Sequence, residues 1–157
     1  MSQELTDRTV KKIEELASRY ASKEAALLPV LHLVQNEVGF ISPQEEKQVA
    51  RLLDIKPIKV KEVVTFYTMF NQEAIGKYHI QVCTNLSCSL LGAESLIDHL
   101  KDKLGIGVGE TTPDKKFTLT TVECLGACEQ SPCMMINFDY FGNLDKAKID
   151  DVLSKLK

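Results

Sequence analysis

Four cysteines in two close pairs carry the clearest chemistry in this sequence: Cys83 and Cys88 in CTNLSC, and Cys124 and Cys128 in CLGAC. Thiolates bind soft metals and iron–sulfur centres, and two loops offering two thiolates each can close around one centre. Such a centre moves electrons or holds a fold; it does not turn over substrate at a side chain.

The spacing ranks the possibilities without closing the question. Structural zinc sites commonly use Cys-x2-Cys knuckles, with wider pairs also known. The pairs here are Cys-x4-Cys and Cys-x3-Cys. A Cys-x4-Cys clip also occurs in plant-type [2Fe-2S] ferredoxins, although their remaining cysteines are spaced differently. A [2Fe-2S] cluster therefore leads, and zinc stays in contention. No Cys-x-x-Cys occurs, which argues against a thioredoxin-type redox pair.

The other metal-binding residue types read as structural. Cys133, in EQSPC, is expected to be a small buried hydrophobe at a strand start, because the two clips already supply four ligands. His32, His79 and His99 stand in predicted helices or strands rather than in the cysteine loops. A Rieske centre, which needs two histidines beside its cysteines, is not supported. The glycine run GIGVGE lacks G-x-G-x-x-G phasing and follows a helix, so it does not read as a phosphate loop.

Strand ends are the natural supports for both clips. Alternation over Tyr78–Val82 predicts a strand that delivers Cys83, and Phe117–Val122 predicts a second that leads into CLGAC. An amphipathic helix is expected from Leu90 to Leu104, stopped by Gly105, with Cys88 just before it. The positive end of that helix would favour a nearby thiolate by up to about 1 kcal/mol. Gly126 inside CLGAC is expected to let the backbone come close where a β-carbon would crowd the centre. A further strand over Met134–Phe138, a Gly142-Asn143 turn and a helix from Lys146 to Leu156 complete this half.

The preceding half contains no cysteine and reads as helical. Apolar residues from Thr6 to Tyr20 recur at helical spacing. A second helix is predicted from Lys23 to Val38, capped by Ser22 and ended by Gly39, with Pro29 imposing a break near Leu28. Ser42-Pro43-Gln44-Glu45 is a capping box that starts a third helix through Leu53. A short fourth helix follows over Ile58–Thr65. The stretch from Thr65 to Phe70 concentrates three aromatics and reads as core rather than as a partner surface. The expected organisation is an α/β chain: a small helical bundle over residues 1–76 and a cysteine-bearing α/β domain over residues 77–157.

Composition fits this picture. At 44% hydrophobic and 26% charged residues, the 157-residue chain has the balance of a soluble globular protein. Its net charge of -3 is spread over both halves, so nucleic-acid binding lacks electrostatic support. No apolar run is long enough for a membrane span, and MSQELTDRTVKK has no signal-like apolar core. A reducing cytoplasmic setting is expected, where thiols favour metal or redox roles over disulfides.

Taken together, the two cysteine clips, VVTFYTMF at 63–70 and LHLVQNEVGFIS at 31–42 resemble the 24-kDa (E) subunit family of respiratory NADH dehydrogenase, complex I. The resemblance spans essentially the whole chain. It implies a thioredoxin-like fold for the second half and one [2Fe-2S] cluster held by Cys83, Cys88, Cys124 and Cys128. It also implies a larger flavoprotein partner carrying FMN and NADH, a place on the inner face of the membrane within a complex, and no turnover by this chain alone. The same module recurs in NAD-linked hydrogenases and formate dehydrogenases, which leaves the parent complex open. With no chemistry of its own, the helical half is expected to serve docking. Glu123 and Glu129 flank the second clip and are expected to disfavour reduction of an already anionic cluster.

Overall fold

The computed structural model describes residues 5–156. The first four residues of the stretch read as lacking a signal lie outside the described residues. The chain divides into two compact units, one ending at Ala74 and the other beginning at Ile75.

The first unit holds four α-helices: α1 (Asp7–Ala17), α2 (Leu27–Val38), α3 (Pro43–Leu53) and α4 (Pro57–Phe66). Local devices at their ends satisfy orphan backbone groups or make a partner unnecessary. The Thr6 hydroxyl accepts from the Thr9 amide at the start of α1. In α3 the capping box is complete: the Gln44 amide donates to Ser42 Oγ at 3.1 Å, and the Ser42 amide donates to Glu45 Oε2 at 2.9 Å. Pro57 opens α4, where its missing N–H costs nothing. Gly39, at φ +92°, ends α2 in the left-handed region that glycine enters freely.

The predicted second helix is altered at its start. Glu24–Ala26 form a 3-10 turn, whose Ala25 amide donates to Ser22 Oγ, and the α-helix begins at Leu27. Pro29 therefore lies in the first turn, where no intrahelical bond is lost. It starts the helix cleanly instead of breaking it. Helix α1 also stops at Ala17, short of Tyr20. Apolar side chains at helical spacing, including Ile13, Val30, Leu31, Val34 and Leu53, meet in a fully buried aliphatic core. The aromatic stretch after it is split: Val64 and Phe70 are buried, whereas Phe66 is 76% exposed.

The second unit is a four-stranded sheet with helices packed on it. Its strands are β1 (Tyr78–Cys83), β2 (Phe117–Val122), β3 (Met134–Ile136) and β4 (Asp139–Phe141), in the order β2-β1-β3-β4. β1 and β2 are parallel, joined through α5 (Leu86–Leu90) and α6 (Ala93–Leu104). β3 returns antiparallel to β1, and β4 is antiparallel to β3. The last helix is α7 (Lys146–Lys155). Ile80, Leu119 and Met134 from the strands share one core with Leu100 of α6 and Ile149 of α7, all fully buried.

Two sequence expectations change here. The helix expected from Leu90 is two helices, because Gly92 at φ +93° interrupts the path between α5 and α6. Cys88 thus lies inside the short α5, not ahead of a long helix, and the expected dipole contribution at its thiolate loses its basis. The strand expected over Met134–Phe138 is a hairpin. Asn137 takes φ +55°, and the chain folds back into β4.

Candidate metal centre

Parallel pairing brings the clips to one edge of the sheet. In the β1–β2 ladder Cys83 stands beside Val122, so the loop carrying Cys124 starts where the first clip starts. Strands running in the same direction end on the same side, which is why two clips far apart in sequence become neighbours. Asn85 caps α5 by accepting from the Leu86 amide at 2.9 Å, and this turn folds Cys88 back toward Cys83.

Cys83 and Cys88 are almost fully buried, with 2% and 1% of their surface exposed. Cys124 and Cys128 are exposed. The second loop nonetheless packs on the first: Leu125 and Ala127 lie against a small cluster of Cys83, Cys88, Ala93 and Cys133. Cys83 Sγ points to the Glu123 carbonyl at 3.9 Å. The Gly126 amide donates to Cys124 Sγ at 3.3 Å. Ser131 Oγ lies 3.4 Å from Cys88 Sγ and donates to the Cys128 carbonyl at 2.9 Å, tying the two clips together.

Gly126 has a different role from the one expected. A β-carbon there would meet no atom within 4 Å, so close approach is not what demands glycine. Its φ of +71° does, since a side chain would be strained in that region.

Cys133 is where sequence reasoning fell short. It is buried and precedes β3, as expected of a small hydrophobe. Yet its Sγ lies 3.7 Å from Cys88 Sγ, and the sulfurs of Cys83, Cys88 and Cys133 all fall within 4.8 Å of one another. The antiparallel return explains this: Met134 pairs with Val82, and the Cys83 amide donates to the Cys133 carbonyl at 3.2 Å. A strand that runs back along β1 must begin at the edge where β1 ends. Pairing direction was the missing signal.

The thiols are not equivalent. Burial raises the Cys83 pKa, only partly opposed by hydrogen bonds with the backbone of Asn85 and Leu125. Burial also works against a Cys88 thiolate, but hydrogen bonds with the Ser131 side chain and the Cys133 backbone prevail and lower its pKa. Cys133 is pushed up to about 12, first by burial and then by its interaction with Cys88. The site thus favours charge at Cys88 and a protonated sulfur at Cys133.

The histidines have structural partners. His79 Nε2 lies 2.8 Å from Thr120 Oγ1, and burial lowers its pKa, which keeps the ring neutral. His99 Nε2 lies 2.9 Å from Asp150 Oδ1, and the His32 ring packs on Phe70 at 5.1 Å. Glu123 and Glu129 are both exposed beside the second clip.

The donor set suits an iron–sulfur cluster. Two cysteine pairs leave adjoining strand ends, with backbone N–H groups directed at sulfur and apolar Leu125, Ala127 and Ala93 around them.

Comparison with known proteins agrees. Residues 13–157 match the family described as thioredoxin-like [2Fe-2S] ferredoxin. The second of the NADH-quinone oxidoreductase E subunits of Rhizobium meliloti (strain 1021) is 47% identical over 146 residues, covering 93% of this chain and 87% of that protein. The mitochondrial NADH dehydrogenase [ubiquinone] flavoprotein 2 of Dictyostelium discoideum is 42% identical over 157 residues, 98% of this chain and 64% of its own length. Among solved structures, an NAD+-reducing [NiFe]-hydrogenase in the air-oxidized state matches with a TM-score of 0.72 at 25% identity. That match covers 83% of this chain and 22% of the hydrogenase chain. The chain therefore belongs to the thioredoxin-like [2Fe-2S] ferredoxin family, within the E-subunit family of NADH-quinone oxidoreductase.

Proposed function

We propose that this chain is the [2Fe-2S] electron-transfer subunit of an NADH:quinone oxidoreductase, with Cys83, Cys88, Cys124 and Cys128 as the cluster ligands. The observation that carries this reading is the parallel β1–β2 register, which starts both clips at one sheet edge. When bound, the cluster supplies a one-electron redox centre. Buried Cys83 and Cys88 hold the inner side and exclude water, while Leu125 and Ala127 seat the outer loop on them. The exposed position of Cys124 and Cys128 leaves the outer side toward solvent or a partner.

The partner in this reading is a flavoprotein subunit that binds FMN and NADH and takes the hydride, so this chain performs no turnover alone. Exposed Ile58, Phe66 and Met69, on and just after α4, offer the helical unit an apolar docking surface. Among the described residues no helix is long and apolar enough to cross a membrane, which fits a subunit placed on the cytoplasmic side through its complex.

Anaerobic reconstitution tests the ligand set. The wild type should hold two irons and two sulfides per chain with a [2Fe-2S] EPR signal on reduction. Cys124→Ser/Cys128→Ser should lose iron, sulfide and visible absorption, while Cys133→Ala should keep all three. Retention of the cluster by the double variant would overturn the assignment. Phe66→Ala should weaken co-purification with an FMN-containing partner, and unchanged association would remove that surface. The similarity to the hydrogenase supports a second reading, the equivalent subunit of an NAD-linked hydrogenase or formate dehydrogenase. The identity of the co-purifying partner separates the two.

A further inference from the structure

Five thiols are more than one cluster of four needs, and three of them are already gathered without the outer pair. Cys83, Cys88 and Cys133 are each no more than 2% exposed, and their sulfurs lie within 4.8 Å of one another. A tetrahedral ion with Zn–S bonds of about 2.3 Å holds its sulfurs roughly 3.8 Å apart. Cys88 Sγ and Cys133 Sγ are separated by 3.7 Å. The surroundings are soft and small: Ala93 is fully buried beside the thiols, and Leu125 and Ala127 pack over them. Three rigid supports fix the group, since Cys83 ends β1, Cys88 lies in α5 and Cys133 leads directly into β3.

We propose that Cys83, Cys88 and Cys133 form a second, three-thiol site that takes one soft divalent cation, of the Zn2+ class, when the [2Fe-2S] cluster is absent. Binding replaces the three thiol protons with three sulfur–metal bonds and involves no change of oxidation state. The fourth position of a tetrahedral ion is left to a non-protein ligand such as water. Cys83 and Cys88 belong to both sets, so the ion and the cluster exclude each other. Cys124 and Cys128 are exposed and take no part. The site gives the cluster-free chain a definite metal-bound form, which iron and sulfide must displace.

Cadmium is the probe, because its thiolate bonds absorb in the ultraviolet and its NMR shift reports the number of sulfur ligands. Reduced, cluster-free full-length chain should bind one Cd2+ with a three-sulfur signature, and Zn2+ should compete for it. Losing only a group that hydrogen-bonds to a metal ligand costs about 10–100-fold in affinity. Cys133→Ala, which removes a ligand itself, should therefore weaken binding by at least about 100-fold. Cys124→Ser/Cys128→Ser should bind as tightly as the wild type with the same signature. Circular dichroism of Cys133→Ala checks that its sheet unit is intact, and Cys133→Ser gives a second variant if it is not. Undiminished binding by both Cys133 variants, a four-sulfur signature that the outer double variant abolishes, or no Cd2+ binding would each overturn the proposal. These outcomes leave the four-ligand cluster assignment untouched, since reconstitution with iron and sulfide reads that separately.

Discussion

The helical unit and the sheet unit solve the same packing problem with different leftovers. Both bury a dry aliphatic core, around Leu31 and Leu53 in one and around Ile80 and Leu119 in the other. The helical unit completes itself with local devices: the Thr6 cap, the Ser42–Glu45 capping box, Pro57 and Gly39. The sheet unit adds a second buried cluster made of Cys83, Cys88, Ala93 and Cys133. Sulfurs grouped in this way contribute little to packing and much to metal binding. One unit is finished by its own chain, whereas the other gains from an inorganic partner.

Cluster loading is the strongest way to break this contrast. Because binding energy at a metal site is also folding energy, loading should raise the melting of the sheet unit alone. About 1 kcal/mol moves a domain of this size by about 4–8 °C, so a shift above roughly 10 °C is expected. Calorimetry of cluster-free and loaded protein should resolve it. Both units rising together would dissolve the distinction.

Leu31→Ala attacks the opposite side. Leu31 is fully buried in the helical core, and its truncation should cost about 2–5 kcal/mol there. Denaturant unfolding followed by circular dichroism should show the loss, with the cluster's visible spectrum unchanged per chain. A bleached spectrum would tie the units together energetically.

Ser42→Ala is a smaller test. Removing the hydroxyl that accepts from the Gln44 amide should cost about 1 kcal/mol in the helical unit. A neutral result would mean that Pro43 and the Glu45 carboxylate suffice to start α3. The smallest effect is expected at Glu123 and Glu129. Each change to Gln removes a negative charge beside the second clip and should raise the reduction potential. Both side chains are exposed, so salt screens the effect and the rise should shrink with ionic strength. Redox titration at low salt checks it, and no rise in either variant would reject the electrostatic account.

Much of the fold was legible because the signals were local. Residue spacing and caps placed α3 and β2 at their observed bounds, and the CTNLSC and CLGAC clips announced a metal centre directly. The differences between expectation and fold share a cause. Gly92 divides a helix whose apolar spacing runs across it, and Asn137 turns one expected strand into the β3–β4 hairpin. Pro29 reads as a break in the sequence, although it sits in a first turn. In each case one residue's backbone conformation mattered more than the pattern around it.

The cysteines mark the same boundary between local and global information. Residue type and loop spacing were enough to single out Cys83, Cys88, Cys124 and Cys128 and to point to a soft metal centre, because ligand chemistry resides in short segments. Cys133 could not be placed that way. Its nearness to Cys88 depends on β3 pairing antiparallel with β1, a long-range contact that no local spacing encodes. Burial, too, separated Cys83 and Cys88 from the exposed Cys124 and Cys128 only once strands and helices packed around them. Side-chain chemistry is a property of the residue, whereas proximity is a property of how strands pair.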